Sequence, residues 1–174
     1  MISRMLAGQG TVVPERASSS VREHMARAIR LSVENVRKAK GGPFAALIVK
    51  DNKVIGTGTN LVTATNDPTA HAEIVAIRRA CKKLQSFQLI GCEVFATCEP
   101  CPMCMAALYW ARPSRIYFAG TREDASRAGF DDAYIYQQIV LPFPERSIPL
   151  EQLMRKQALA AFELWAKQND KIVY

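Results

Sequence analysis

Residues 92–120 constrain the fold more than any other stretch of the chain. "CEVFATC" reads as a strand, "PMCMAALYWA" as a helix opened by Pro102 and stopped by Pro113, and "RIYFAG" as a second strand. Strands separated by helices build a sheet covered on both faces. Upstream, "FAALIVK" and "VIGTGTN" flank Asp51–Lys53 and read as a β-hairpin. Before it, "SVRE" at Ser20–Glu23 has the form of a capping box, with Met25, Ile29, Val33 and Val36 following at helical spacing. "GGP" at Gly41–Pro43 ends that helix. After the hairpin a loop runs through "TATNDPT". A second helix then spans about Ala70 to Leu84, with Ile74, Ile77 and Ala80 on one face. Past residue 120 the pattern is helical around "DDAYIYQQIV", extended through "LPFPERSIP", and helical again from Leu150 to about Lys167. The expectation is an α/β fold: a three-layer α/β/α sandwich around a central mixed sheet of about five strands, parallel after the hairpin. One domain over residues 21–174 would follow a mobile leader, residues 1–20.

Composition excludes more than it assigns. At 174 residues the chain fits a single domain with a sizeable core. No apolar run reaches the length of a membrane span, and the first twenty residues lack an apolar signal core. Five cysteines, an odd number with three clustered, fit a metal site in a reducing compartment, hence the cytoplasm. The net charge of +7 raises the question of nucleic acid. Residues 21–40 carry six basic and two acidic residues on the polar face of a helix, with no aromatic side chains between them for bases to stack on. That is the pattern of a solvated face. It does not call for a nucleic-acid partner.

The chemistry concentrates in "TCEPCPMC", Thr97–Cys104, and "HAE", His71–Glu73. Strand alternation groups Cys98 with apolar Val94 and Ala96, as a core residue. Cys101 directly precedes a helix-starting proline, and Cys104 falls in the first turn. Free N–H groups and the helix dipole favour thiolates at both positions. Cys101 and Cys104 are therefore the metal-binding pair. His71 supplies a third ligand, and His-Cys-Cys leaves one tetrahedral position open, which marks a catalytic zinc. A structural zinc would take a fourth Cys or His, and the remaining histidine, His24, has no ligand spacing. Zinc acidifies a water, so a base must collect the proton, and Glu73 is placed to do so at the same helix end. H-x-E…P-C-x-x-C is the signature of the zinc nucleobase deaminases. The reading is hydrolytic deamination.

From about Val21 to Tyr174 the sequence resembles the bacterial guanine deaminases of the cytidine-deaminase superfamily. "GGPFAALIVK", "NDPTAHAE", "CEPCPMC", "ALYWARP" and "AGFDDAYIY" carry the likeness. "DPTAHAE" is shared with tRNA adenosine deaminases, the alternative reading beside other aminopurine or triazine deaminases. The resemblance implies guanine as substrate. It further implies that Asn60 hydrogen-bonds the purine edge, that Phe44 and Trp110 wall the ring, and that Asp132 relays a proton beside Glu73. Tyr174 would close the pocket. It also implies a domain-swapped homodimer exchanging residues 141–174, with the proline-rich segment as hinge. Ala45 stands where the family usually has glycine, adding a methyl group at the pocket floor, and the leader has no counterpart.

Overall fold

The computed structural model describes residues 18–173. The first helix, α1 (Ser19–Arg37), starts earlier than the capping box suggests: Ser18 is the N-cap, its hydroxyl accepting from the Val21 N–H at 3.4 Å. Ser20 thus lies inside the first turn, and the expected leader ends no later than Ser18. Most of that leader, residues 1–17, lies outside the described residues.

Strands β1 (Ala45–Lys50) and β2 (Lys53–Thr59) form the expected hairpin. A one-turn helix, α2 (Val62–Thr65), occupies the segment read as loop. Then come α3 (Ala72–Leu84), β3 (Cys92–Cys98), α4 (Pro102–Ala111) and β4 (Arg115–Gly120). Among the described residues the sheet has four strands, one fewer than expected, in the order β2-β1-β3-β4. Only β3 and β4 pair in parallel; β1 is antiparallel to both its neighbours. The chain leaves the hairpin from β2 and crosses over β1 through α3, so β2, β3 and β4 share one direction and β1 opposes it.

Alternation along the strands sorts the core into two layers. Ala46, Ile48 and Val94 face α3 and α4, packing with Ala72, Ala76, Ala80 and Leu108. Leu47, Val49 and Phe95 face α1 and pack with Met25 and Ala28. Because helices cover both faces, five successive residues of β1 are buried. The buried stripe of α1 differs from the expected one. Ala28, Ser32 and Asn35 point inward, whereas Ile29, Val33 and Val36 are exposed. Small and hydrogen-bonded residues let the helix sit close to the sheet, and hydrophobic spacing does not register that. The same closeness recurs at Gly58, where a Cβ would lie 2.0 Å from the Ala72 carbonyl oxygen. α3 therefore rests directly on β2, with its N-terminus at the end of that strand.

Beyond β4 the character changes. Helix α5 (Arg122–Arg127) opens with a capping box between Thr121 and Asp124 that the sequence reading passed over. Helix α6 (Asp132–Val140) is capped by Asp131, which accepts from the Ala133 and Tyr134 N–H groups. The proline-rich connection contains one 3-10 turn, Phe143–Glu145, and the last helix, α7 (Arg155–Lys167), begins five residues later than expected. Every residue of α7 except Leu159 is exposed.

Candidate metal centre and cavity

Two helix N-termini meet where β2 and β3 end. His71 is the N-cap of α3 and Cys101 the N-cap of α4, each in extended conformation, with Pro102 at the first helical position. Glu73 and Cys104 follow in the two first turns, near the free N–H groups of each helix. This is the strand-end position at which α/β sheets place their ligands.

The side-chain donor atoms of His71, Cys101 and Cys104 all lie within 4.8 Å of one another, the one such grouping among the described residues. The Cys101 thiol and His71 Nδ1 are 3.5 Å apart. Ligands held at ordinary Zn–S and Zn–N lengths around a tetrahedral zinc stand about 3.3–3.8 Å from each other, a range that the Cys101–His71 pair meets, and the donor set fits zinc in kind. Cys101 and Cys104 are buried and His71 half-buried.

The electrostatics are those of a tight, poorly solvated cluster. A hydrogen bond from Cys104, aided by His71, brings the Cys101 thiol down to about 4 against the opposing effect of burial. Cys104 is pushed up, first by that same bond and then by burial. The hydrogen bond with Cys101 raises His71. Glu73, 8% exposed, is raised chiefly by burial and then by the Cys101 charge; its Oε2 accepts from the Cys104 thiol at 3.5 Å. Asp132 is raised in the same direction, by burial first. Two carboxyl groups near one metal-binding cluster are thus both biased toward holding a proton.

A cavity of about 500 Å³ opens beside the cluster, lined by Phe44, Asn60, His71, Glu73, Cys101 and Asp132 among others. Six of the nine residues singled out from sequence therefore meet on one cavity. Cys104 lies just behind it as the third donor. Trp110 is not on it: Cys104, Leu108 and Ala111 take the inward side of α4 and leave Trp110 63% exposed. Tyr174 lies outside the described residues. Ala45 is 1% exposed and absent from the lining, so its methyl group belongs to the core and not to the pocket floor.

Among the lining residues that the sequence does not single out, Phe130, Cys98 and Glu99 bear on the chemistry. Phe130 meets Phe44 edge to face, with centroids 4.8 Å apart and an interplanar angle of 82°. It sits inside "AGFDD", after Gly129, whose φ of +89° turns the chain into α6. Its neighbourhood in that motif was the available signal. Cys98 is buried, as strand alternation required, yet also reaches the cavity; its thiol donates to the Thr121 carbonyl at 3.4 Å, and burial lifts it to about 11. Glu99 accepts from the Arg122 N–H at 3.2 Å and ties the cysteine loop to α5.

A family model of the cytidine and deoxycytidylate deaminase zinc-binding region matches residues 18–120. The chain belongs to this deaminase family. Within the family it is 49% identical over 148 residues to the guanine deaminase of Bacillus subtilis (strain 168), covering 85% of this chain and 95% of that protein. A crystal structure of guanine deaminase from Bacillus subtilis matches with a TM-score of 0.86 at 47% identity, covering 88% of this deaminase and 98% of the other chain. The tRNA-specific adenosine deaminase of Aquifex aeolicus is 44% identical over 77 residues, 44% of this chain and 51% of that one. The zinc-binding character of the matched region agrees with the His-Cys-Cys donor set.

Proposed function

We propose that this deaminase hydrolyses guanine to xanthine and ammonia. The observation that carries the reading is the reach of the likeness. Similarity to the guanine deaminase continues over 85% of the chain, well past the zinc-binding region, whereas the adenosine deaminase matches under half. The part of the chain beyond residue 120 supplies Phe130 and Asp132 to the cavity.

His71, Cys101 and Cys104 would hold zinc, whose contribution is to acidify a water at its open position. Glu73 then works as the proton carrier. It takes a proton from the water adding to the amino-bearing ring carbon, passes it to a ring nitrogen, and delivers the second to the departing amino group. The books of the reaction close: guanine and one water give xanthine and one ammonia. Burial, which raises Glu73, favours its holding the proton between these transfers. Asp132, raised in the same way, relays a proton beside Glu73 and assists the leaving ammonia. Phe44 and Phe130 give the ring an apolar wall, and Asn60 offers it a hydrogen bond.

The same reading includes a homodimer in which residues 141–174 pass to a second copy and bring Tyr174 to the neighbouring cavity. The support is the apolar surface of α7, where Phe162 and Leu164 are 69% and 66% exposed. We assign the protein to the cytoplasm, in keeping with five free cysteines. Among the described residues no helix is long and apolar enough to cross a membrane.

The deciding experiment scores ammonia release from guanine, guanosine, adenine, cytosine, triazine amines and tRNA. Guanine is expected to lead the panel. Inosine formation at an anticodon wobble position, with guanine inert, would replace this reading by the adenosine one.

A further inference from the structure

We propose that Asn35 is a positioning residue that sets which end of the Asn60 amide faces the substrate. The proposal rests on the reading above that Asn60 binds the ring. Asn35 lies on the sheet-facing side of α1 and is 3% exposed. A buried amide in a hydrophobic layer is kept only where its hydrogen bonds are made. Its Nδ2 donates both hydrogens, at 2.9 Å each, to the carbonyl oxygens of Gly42 and Asn60. Those carbonyls belong to different segments. Gly42 is in the turn after α1, and Asn60 lies one residue past the last β1–β2 register pair, Ala45 with Thr59. Asn35 thus joins the two segments at the end of the strand ladder, beside the last backbone bond there, from the Asn60 N–H to the Phe44 carbonyl at 3.0 Å.

Glycine makes this approach possible. A Cβ on Gly41 would lie 2.3 Å from the Asn60 carbonyl oxygen, so no side chain fits between turn and strand end. Held this closely, the Gly42 N–H donates to Asn60 Oδ1 at 3.4 Å, and the Val62 N–H donates to the same oxygen at 3.3 Å. The Asn60 oxygen is therefore turned to the backbone. The opposite amide orientation would set its NH₂ against two N–H donors, which is repulsive. What remains for the cavity is the Asn60 NH₂, a donor. The site at this point selects a hydrogen-bond acceptor on the substrate, a ring nitrogen or a carbonyl oxygen. Asn35 does not line the cavity and acts only through this chain of contacts.

The test is a double-mutant cycle on KM with zinc-loaded full-length protein. Asn35→Ala should raise KM for guanine about five- to tenfold while kcat stays within about twofold, as expected for loss of aim in one binding hydrogen bond. If guanine is inert, KM is read on whichever amine of the panel releases ammonia. Hydrogen exchange at the Gly42 and Val62 amides should accelerate, with zinc content unchanged. In an Asn60→Ala background, Asn35→Ala should add nothing to KM. An equal factor in both backgrounds, or an unchanged KM in the single variant, overturns the proposal and leaves Asn35 as plain packing. If Asn35→Ala does not fold, Asn35→Thr carries the same cycle, with a rise of about two- to fourfold expected for one retained donor. Should Asn60→Ala leave KM unchanged, the role of Asn60 fails, and Asn35 with it. Should the wild type release no ammonia from guanine, the substrate reading fails separately.

Discussion

The chain up to Gly120 and the chain after it are built differently. The first part holds the sheet, both buried layers and the metal-binding cluster. In the second part, Ala125 is the one buried residue between 121 and 173. Yet that thinly packed part sends Phe130 and Asp132 into the cavity. The division is one of labour. Reactive groups need rigid, desolvated placement, which two helix N-termini on a packed sheet provide. Phe130 and Asp132 sit on elements with little core of their own, anchored by contacts such as the 3.2 Å hydrogen bond from the Arg122 N–H to Glu99. On α7 the apolar side chains of Phe162, Leu164 and Trp165 are likewise exposed.

The sharpest test of this division is Glu73→Gln, which changes the first part alone. It should retain zinc and fold while kcat falls about a thousandfold, the scale of a lost proton carrier. Metal analysis beside steady-state kinetics checks it, and near-normal turnover would end the proposed mechanism. Removing residues 141–174 tests the second part. The remaining chain should keep zinc and its thermal transition, sediment as a monomer where the full chain sediments as the proposed dimer, and drop about a hundredfold in kcat/KM as binding and closure are lost. Full activity from a monomeric truncation would show that the cavity is complete within residues 18–140.

A smaller effect lies in the pH profile. Burial holds Glu73 above its ordinary value of 4.5. The ionised form that accepts a proton exists only above the raised pKa, so kcat/KM should fall as pH drops through it. The acid limb should stand higher than that of an exposed glutamate. Asp132 shifts the same way and would steepen the limb. A limb at or below the ordinary glutamate range contradicts the buried, proton-holding carboxyl.

Much of the first part was legible in the residues. Strands β3 and β4 and helix α4 run as their apolar patterns and prolines indicate. Cys101 and Cys104 were separated from Cys98 by strand alternation and a helix start, and they converge with His71 as that argument required. These are local signals, carried by neighbours in sequence. The outer helices read less well. The capping box at Thr121 precedes a helix with one buried residue, and α7 starts at Arg155, five residues past the expected Leu150. Helix boundaries with little buried surface leave a weak hydrophobic pattern to read.

By itself the sequence determined the α/β layering, the three zinc-binding donors and the carboxylate beside them, because periodicity and helix-end chemistry act over a few residues. Tertiary structure decided the rest. It selected the stripe of α1 that meets the sheet, placed Phe130 opposite Phe44, kept Trp110 out of the cavity, and turned the Asn60 oxygen to the Gly42 and Val62 N–H groups. Asn35 reaches across 25 residues of sequence to the Asn60 carbonyl. A hydrogen bond of that span leaves no trace in hydrophobic spacing, since it depends on two segments arriving at one place.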